Sequence, residues 1–264
     1  MKKRICIHVL AHLLFFIPCL AALAAEGTKI KDSESASHGA EDARHQVVDT
    51  YRFQGFEIVQ FNLPVLSHYS YLLVSGPEAL LVDPDRDING YLDYAKKNNL
   101  TIKGVFLTHS HADFVAGHLE TDQALNVPIY QNAASGAQYK IEPLQEGSTF
   151  RVGKATVKAI TTPGHTPDGM CGLVSGEGET QPHAVFTGDT LFVGSIGRPD
   201  LLEGTMTAAT LASMSFDTWH NKLSKLPDSV VVLPAHGAGS LCGANLSDDP
   251  SSTIGREKSS NPYV

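Results

Sequence analysis

The chain has 264 residues and a formal net charge of −8, with 42% hydrophobic and 18% charged residues. This is ordinary globular composition, with enough length for one large domain or two small ones. The body of the chain contains no run of basic residues, whereas nucleic-acid binders cluster basic charge on one surface. A nucleic-acid partner is therefore not expected.

Residues 1–24 have the pattern of a secretory signal peptide. The basic Met1–Arg4 precedes a mostly apolar stretch, and Ala22 and Ala24 supply the small residues that a signal peptidase reads. The apolar stretch contains Pro18 and is short against the roughly 20 apolar residues that a membrane span needs. We therefore predict a secreted, periplasmic protein that has no membrane attachment after cleavage.

The remainder divides by composition into three parts. Residues 25–46 are polar and lack periodicity, which predicts a flexible segment. Residues 47–245 alternate apolar runs with turn residues and predict one globular domain, whereas residues 246–264 are polar again and predict a C-terminal tail.

The domain is predicted to be rich in strands, in two halves that each carry helices. Short apolar runs bounded by Pro, Gly and Asp predict strands at 56–61, 69–75, 79–84, 102–109, 128–131, 148–152, 155–161, 170–175, 184–189 and 230–236. Apolar residues at helical spacing predict a helix at 88–100, and the length of the segments between strands predicts helices at 114–125 and 207–226. Strands interleaved with helices indicate sheets covered by helices.

Five segments place polar, metal-binding residue types at or just after predicted strands. They are Thr108–Asp113 (THSHAD), Pro163–His165, Gly188–Asp189, Gly197–Asp200 and Pro234–His236. Loops at strand ends suit binding and catalytic residues, because the sheet fixes the positions of these residues while the loop leaves them exposed. One His-x-His pair alone is weak evidence, but the five segments together predict a site for zinc, iron or manganese.

The segments THSHAD, TPGHT, TGDTLF and LPAH, in that order, resemble the metallo-β-lactamase superfamily over about residues 50–245. The resemblance implies an α/β fold, the αββα sandwich, with metal at one edge between two sheets. The superfamily includes β-lactamases, glyoxalase II thioesterases, flavodiiron proteins, nucleases and persulfide dioxygenases, so the fold alone does not name a reaction.

The first motif departs from the superfamily at its last position. The superfamily pattern is HxHxDH, and this chain reads HSHADF, with Phe114 in place of the final His. That His helps to hold a second metal in the superfamily, and a phenyl ring has no donor atom. A single-metal site is therefore favoured over a dinuclear one, although Asp113, Asp189 and His236 remain for a weakened second site.

The stretches from Leu81 to His118, TGDTLFVGSIGRPDL and LPAHGAGSLCG look like those of the persulfide dioxygenases (sulfur dioxygenases) that are often fused to rhodanese domains. That resemblance implies one Fe(II) per chain, held by His109, His165 and Asp189; zinc is the alternative. It places His111 beside the metal.

Several other polar residues keep two interpretations. His111, Asp113 and His236 either bind a metal or support the residues that do. Arg198 either binds the carboxylate of a glutathione persulfide-like substrate, as the resemblance implies, or pairs with Asp200.

Two cysteines, Cys171 and Cys242, remain after signal cleavage. Cys242 is either a persulfide acceptor or a small buried residue, and Cys171 is expected in the core. Whether the two form a disulfide is not decided by the sequence.

The leading hypothesis is an iron-dependent persulfide dioxygenase that converts a thiol persulfide and dioxygen to sulfite and thiol. The alternatives are a zinc hydrolase of the glyoxalase II or β-lactamase type, and a non-catalytic metal-binding protein on the same fold. The expected partners are the small-molecule persulfide and dioxygen; a separate rhodanese and a homo-oligomer are left open.

Overall fold

The computed structural model describes residues 45–202 and 206–264. The predicted signal peptide and nearly all of the segment at 25–46 lie outside the described residues. Among the helices that are described, none is long and apolar enough to cross a membrane.

The first half of the chain forms a seven-stranded sheet with its strands in sequence order. The strands are β1 (Gln46–Phe53), β2 (Phe56–Leu63), β3 (His68–Ser75), β4 (Glu78–Val82), β5 (Thr101–Phe106), β6 (Ile129–Asn132) and β7 (Glu142–Leu144). Strands β1 to β4 pair antiparallel, and β4 to β7 pair parallel. The crossover from β4 to β5 carries helix α1 (Asn89–Lys97), and that from β5 to β6 carries helix α2 (His118–Leu125).

The second half forms a six-stranded sheet in the order β15-β14-β11-β10-β9-β8. Its strands are β8 (Thr149–Val152), β9 (Ala155–Thr161), β10 (Met170–Ser175), β11 (Ala184–Gly188), β14 (Val231–Pro234) and β15 (Ser252–Thr253). A separate hairpin joins β12 (Leu191–Phe192) to β13 (Ser195–Ile196). Helices α3 (Ala208–Asn221) and α4 (Ile254–Ser260) complete this half.

The two sheets pack face to face over a buried apolar layer. Ile58, Tyr71 and Phe106 of the first sheet meet Val157 and Phe186 of the second. Separate clusters cover the outer faces, with α1 packed on the first sheet and α3 and α4 on the second. Because strand side chains alternate between faces, each sheet can bury both sides in this way. The predicted αββα sandwich is confirmed.

The helix predicted at 114–125 starts later, at His118. Residues before it are held as a loop, because Gly117 donates its backbone N–H to Pro84 O at 2.8 Å and Ala116 forms a bridge with Asp85. A Cβ at Gly117 would lie 2.2 Å from Asp85 O, so this close approach requires glycine. The loop keeps the THSHAD motif out of the helix.

The prediction of a polar tail at 246–264 is wrong. Thr253 and Ser252 pair with β14, and α4 buries Ile254 completely. The segment is polar because it satisfies buried groups: Glu257 accepts hydrogen bonds from Gly194 N at 2.9 Å and from Asn261 Nδ2 at 2.8 Å. Its composition therefore reflects a buried hydrogen-bond network rather than exposure to solvent.

Candidate metal centre

Four of the five predicted segments come together because the strands before them end at the same edge of the sandwich. Strands β9 and β11 are both antiparallel to β10, and β11 is parallel to β14, so all three end at one edge of the second sheet. The loops that follow them carry His165, Asp189 and His236. The loop after β5 brings His109 to the same place from the first sheet. The site therefore lies where the sandwich opens.

Donor atoms of His109, His165 and Asp189 all lie within 4.8 Å of one another. Asp189 Oδ2 is 3.8 Å from His109 Nε2 and 3.5 Å from His165 Nε2. Two ligands of one tetrahedral ion with bonds near 2.1 Å are about 3.4 Å apart, so the spacing suits a shared ion. Asp189 Oδ2 is buried and has no hydrogen-bond partner in the described chain, which is what a ligand oxygen would show.

Hydrogen bonds fix which ring nitrogen of each ligand carries the proton. Thr108 Oγ1 donates its single proton to Asp83 Oδ2 at 2.7 Å, so it accepts from His109 Nδ1 at 3.0 Å. His165 Nδ1 lies 3.0 Å from the carbonyl oxygen of Arg198 and must also be protonated. In the neutral rings both Nε2 atoms therefore present lone pairs toward Asp189, as a metal requires.

His111 lies beside this group, with its ring centroid 4.1 Å from that of His109. Its Nε2 donates to Asp83 Oδ1 at 3.0 Å, which leaves a lone pair on Nδ1. Nδ1 is buried and makes no hydrogen bond to any described residue. His111 is not among the residues whose donor atoms all lie within 4.8 Å of one another, so it lies next to the predicted ligands rather than among them.

Asp83 and Asp168 support the motif loop, although neither was predicted as a site residue. Asp83 accepts from Thr108 N at 2.8 Å as well as from Thr108 Oγ1 and His111. Asp168 accepts from Ser110 N at 3.0 Å and from Ser110 Oγ at 2.6 Å. Asp83 directly follows β4, and this position at the end of a strand was a usable signal, whereas Asp168 lies in the loop between β9 and β10.

The electrostatics of the centre keep Asp189 ionised and His109 neutral. Burial alone would raise the pKa of Asp189, but His236, His109 and His165 hold it well below its usual value. Burial, together with neighbouring His111, lowers the pKa of His109 to about 3. A carboxylate and neutral imidazoles are the forms that bind a cation.

A second group of donors lies next to the first. Atoms of Asp113, His236 and Cys242 also lie within 4.8 Å of one another. His236 Nε2 is 2.9 Å from Asp113 Oδ2, and Cys242 Sγ is 3.7 Å from the same oxygen. Burial disfavours charge on His236, but Asp189 and Asp113 outweigh it and raise the pKa of His236 to about 10. Burial raises the pKa of Asp113, but its hydrogen bond and charge interaction with His236 outweigh this and lower it to about 2.

Phe114 packs against His111 and His68 and lies beside His236 of the second group. Its ring centroid lies 4.5 Å from that of His111 and 4.2 Å from that of His68. His68 is fully buried, and neither of its ring nitrogens has a hydrogen-bond partner among the described residues. Burial is the main reason that the pKa of His68 falls to about 3. No motif around His68 indicated that it would lie here.

Arg198 lies at the rim and pairs with Asp200. Its Nε and Nη2 donate to the two carboxylate oxygens at 3.0 and 2.7 Å, and 42% of the side chain is exposed. The backbone of Arg198 also joins the site, because its N–H donates to Cys242 O at 2.9 Å and its carbonyl faces His165. The structure thus contains the ion pair between Arg198 and Asp200, and the guanidinium of Arg198 is still open to solvent.

Both described cysteines are free thiols, so they form no disulfide. Cys171 lies in the core, where burial raises the pKa of its thiol to about 11. Cys242 is buried beside Asp189 and Asp113, and burial followed by these carboxylates raises the pKa of its thiol further.

An αββα sandwich with His and Asp donors at the open edge defines a class of metal-binding protein. Residues 63–236 match the sequence profile of the metallo-β-lactamase superfamily. The chain belongs to this superfamily, whose members are metal-dependent enzymes.

Curated relatives include proteins named as hydrolases. A probable hydroxyacylglutathione hydrolase of Schizosaccharomyces pombe is 30% identical over 224 residues, which are 75% of this chain and 82% of that protein. A probable polyketide biosynthesis zinc-dependent hydrolase, BaeB, of Bacillus velezensis is 30% identical over 68% of this chain and 77% of that protein.

Solved structures with the same fold include a metallo-β-lactamase from Staphylococcus aureus, with a TM-score of 0.74 and 36% identity. The match covers 79% of this chain but only 64% of that one. ETHE1 from Myxococcus xanthus has a TM-score of 0.67 and 28% identity, and the match covers 78% of this chain and 83% of that one. TTHA1623 in a di-iron-bound form has a TM-score of 0.59 and 26% identity over 77% and 98% of the two chains.

Proposed function

We propose that this protein is an iron-dependent persulfide dioxygenase that oxidises a small thiol persulfide of the glutathione persulfide type. The reaction is RSSH + O₂ + H₂O → RSH + SO₃²⁻ + 2 H⁺. The outer sulfur is oxidised, its bond to the thiol sulfur breaks, and dioxygen is the oxidant. The thiol leaves with one proton.

The observation that carries the proposal is the donor set of the first group. His109 Nε2, His165 Nε2 and Asp189 Oδ2 make two imidazoles and one carboxylate. Iron(II) held by such a set has open positions for the activation of dioxygen. The Phe114 ring at the sixth motif position removes the imidazole that dinuclear members use, which favours a single catalytic ion. The likeness to ETHE1 from Myxococcus xanthus gives independent support.

The residues of the chain provide binding and orientation. Arg198 has a guanidinium at the rim that can exchange Asp200 for the carboxylate of a peptide-like thiol, because two N–H groups match two oxygens. Its backbone carbonyl orients His165 at the same time, so substrate binding and ligand geometry share one loop. Phe114, packed on His68, makes this side of the site apolar.

A zinc hydrolase of the glyoxalase II type is the second candidate. The names of the yeast and Bacillus relatives favour it. In that case the ion would polarise a thioester carbonyl and lower the pKa of a water molecule. Asp113, Asp189 and His236, which are close together, would then support hydrolysis.

Parallel assays separate the two functions. The full chain, purified without oxygen, is incubated with glutathione persulfide while oxygen and sulfite are measured, and with S-lactoylglutathione or nitrocefin while hydrolysis is measured. Oxygen uptake with sulfite release and negligible hydrolysis supports the dioxygenase. Hydrolysis without oxygen uptake overturns it. His165→Ala should lose both metal and activity, which ties either reaction to the first group.

A further inference from the structure

A side-chain contact joins two loops that carry predicted ligands, one loop from each sheet. Ser110 directly follows His109 in the loop after β5, and Asp168 lies three positions after His165 in the loop between β9 and β10. Ser110 donates twice to Asp168 Oδ2, from its backbone N–H at 3.0 Å and from its Oγ at 2.6 Å. The loop of one ligand is therefore tied to the loop of the other.

The residue before His109 is held by the same segment of the second sheet. Met170 N, at the start of β10, donates to Thr108 O at 2.8 Å. His109 is thus held on both sides, by a backbone contact at Thr108 and by the carboxylate of Asp168 on the other side. Of these two contacts, the one to Asp168 depends on a side chain, so a substitution can remove it.

Asp168 is itself fixed by residues of β6. It is 5% exposed, and its backbone carbonyl accepts from Asn132 Nδ2 at 2.9 Å. Gln131 lies beside Ser110, with Nε2 3.4 Å from Ser110 Oγ, and its Oε1 accepts from Tyr139 at 2.7 Å. Hydrogen bonds to a carboxylate are roughly twice as strong as those between neutral groups. A buried carboxylate held in this way can therefore control the position of Ser110.

The loop that contains His165 and Asp168 is closed at its base. Thr162 N donates to Gly169 O at 2.7 Å. A Cβ at Gly169 would lie 2.6 Å from Thr162 O, so this close approach requires glycine. Because the two ends of the loop are joined, a displacement of Asp168 is passed on to His165 rather than absorbed by a free chain.

We propose that Asp168 is a positioning residue for the metal centre: by holding Ser110, it sets the separation and the mutual angle of the His109 and His165 imidazoles. These rings are nearly perpendicular, at 87°, with their centroids 5.4 Å apart. Because the two ligands come from different sheets, neither sheet alone fixes this relation. Asp168 belongs to neither group of close donors among the described residues, so it acts through Ser110 and not as a ligand. The proposal rests on metal binding by the first group, which both candidate functions require, and not on the reaction that follows.

Cobalt(II) titration of the metal-free full chain tests the proposal, because the visible absorption of cobalt reports the arrangement of its ligands as well as its binding. Asp168→Ala removes the acceptor of both hydrogen bonds. It should weaken cobalt affinity about 10–100-fold and change the position and intensity of the visible bands. Asp168→Asn keeps an acceptor oxygen without the charge and should have a smaller effect of the same kind. Asp93→Asn, at an exposed position of α1, is the matched control and should bind cobalt as the wild type does.

Substitutions of Ser110 test the same contact from its other side and give a result even if Asp168→Ala does not fold. Ser110 is exposed, so Ser110→Thr has room for its methyl group and should keep the wild-type cobalt spectrum. Ser110→Ala loses the hydroxyl but keeps the backbone donor, so it should show part of the change seen in Asp168→Ala.

Urea denaturation of the metal-free variants separates positioning from stability. Wild-type cobalt affinity and spectrum in both Asp168→Asn and Ser110→Ala would overturn the proposal, and a fall in the free energy of unfolding alone would show that Asp168 only stabilises the fold. None of these readouts uses catalytic activity. A failure of the dioxygenase assay and a failure of the positioning role are therefore distinguishable.

Discussion

His236 Nδ1 lies 2.8 Å from Asp189 Oδ1, and this contact determines how the carboxylate faces the two other predicted ligands. With Oδ1 engaged, Oδ2 is left 3.5 Å from His165 Nε2 and 3.8 Å from His109 Nε2. His236 thus orients the only acidic residue of the first group. Residues that hold a ligand in place by hydrogen bonding contribute to metal affinity.

We expect His236→Ala to weaken iron binding about 10–100-fold, because Asp189 loses the group that fixes its orientation. The measurement is competition with a calibrated chelator under anaerobic conditions. His220→Ala, on the exposed face of α3, is the matched control. Unchanged iron affinity in His236→Ala would contradict the orienting role.

Asp83→Ala should destabilise the metal-free protein by about 3 kcal/mol. Asp83 is 1% exposed and accepts hydrogen bonds from Thr108 N, Thr108 Oγ1 and His111 Nε2, so its removal leaves buried donors without a partner. Urea denaturation gives the free energy of unfolding. Asp93→Ala, at an exposed position of α1, should change it little; equal effects of the two substitutions would show that the network around Asp83 is not important for stability.

Arg198→Ala should raise KM for glutathione persulfide about tenfold or more and leave the iron content unchanged, because a charge-assisted pair with the substrate is lost. Arg198→Lys should not restore affinity, since an ammonium cannot form the bidentate contact. Steady-state oxygen uptake measures both. Asp200→Ala separates the interpretations: it should preserve or lower KM if Arg198 binds substrate, whereas a rise equal to that of Arg198→Ala would indicate that the ion pair only shapes the loop.

Stability should fall in acid partly because of His68. Its folded-state pKa of about 3 lies below the usual value of 6.5, chiefly through burial. The imidazole therefore contributes stability fully above pH 6.5, and the contribution is lost progressively as the pH falls toward 3, because only the unfolded chain takes up the proton. Between pH 6.5 and pH 5 the loss is about 2 kcal/mol.

His68→Gln should remove that part of the pH dependence. Denaturation of the metal-free wild type and variant at pH 7 and pH 5 provides the comparison. His220→Gln, which changes an exposed imidazole, should keep the wild-type slope. A slope in His68→Gln that equals the wild-type slope would show that His68 is not the buried neutral group described here.

Much of the site follows from local sequence. His109, His165, Asp189 and His236 come after strands whose apolar pattern and bounding residues are plain, and strands that end at one edge bring such residues together. Most of the longer strands and α1 were predicted for the same reason, but the eight-residue β1 was not. Strands such as β7, β12 and β15 were missed because they are only two or three residues long and carry no alternation of their own.

The parts of the fold and site that were not predicted depend on contacts between residues far apart in the sequence. Nothing near Asp83 shows that it reaches Thr108 and His111, and nothing near Cys242 shows that its sulfur lies 3.7 Å from Asp113. Residues 246–264 read as a tail because Glu257 and Asn261 are polar, yet both are buried by partners that lie elsewhere in the fold. Polar residues that serve a buried network have the same composition as a solvated segment.

Oxygen consumption by iron-loaded and zinc-loaded protein tests the central claim most directly. The metal-free chain is reconstituted without oxygen with Fe(II) or with Zn(II), and glutathione persulfide is then added with dioxygen. We predict that only the iron-loaded protein consumes dioxygen, with one sulfite formed for each dioxygen, and that His165→Ala does neither. Turnover of a thioester by the zinc-loaded protein, with no oxygen uptake in the iron-loaded one, would contradict the proposal.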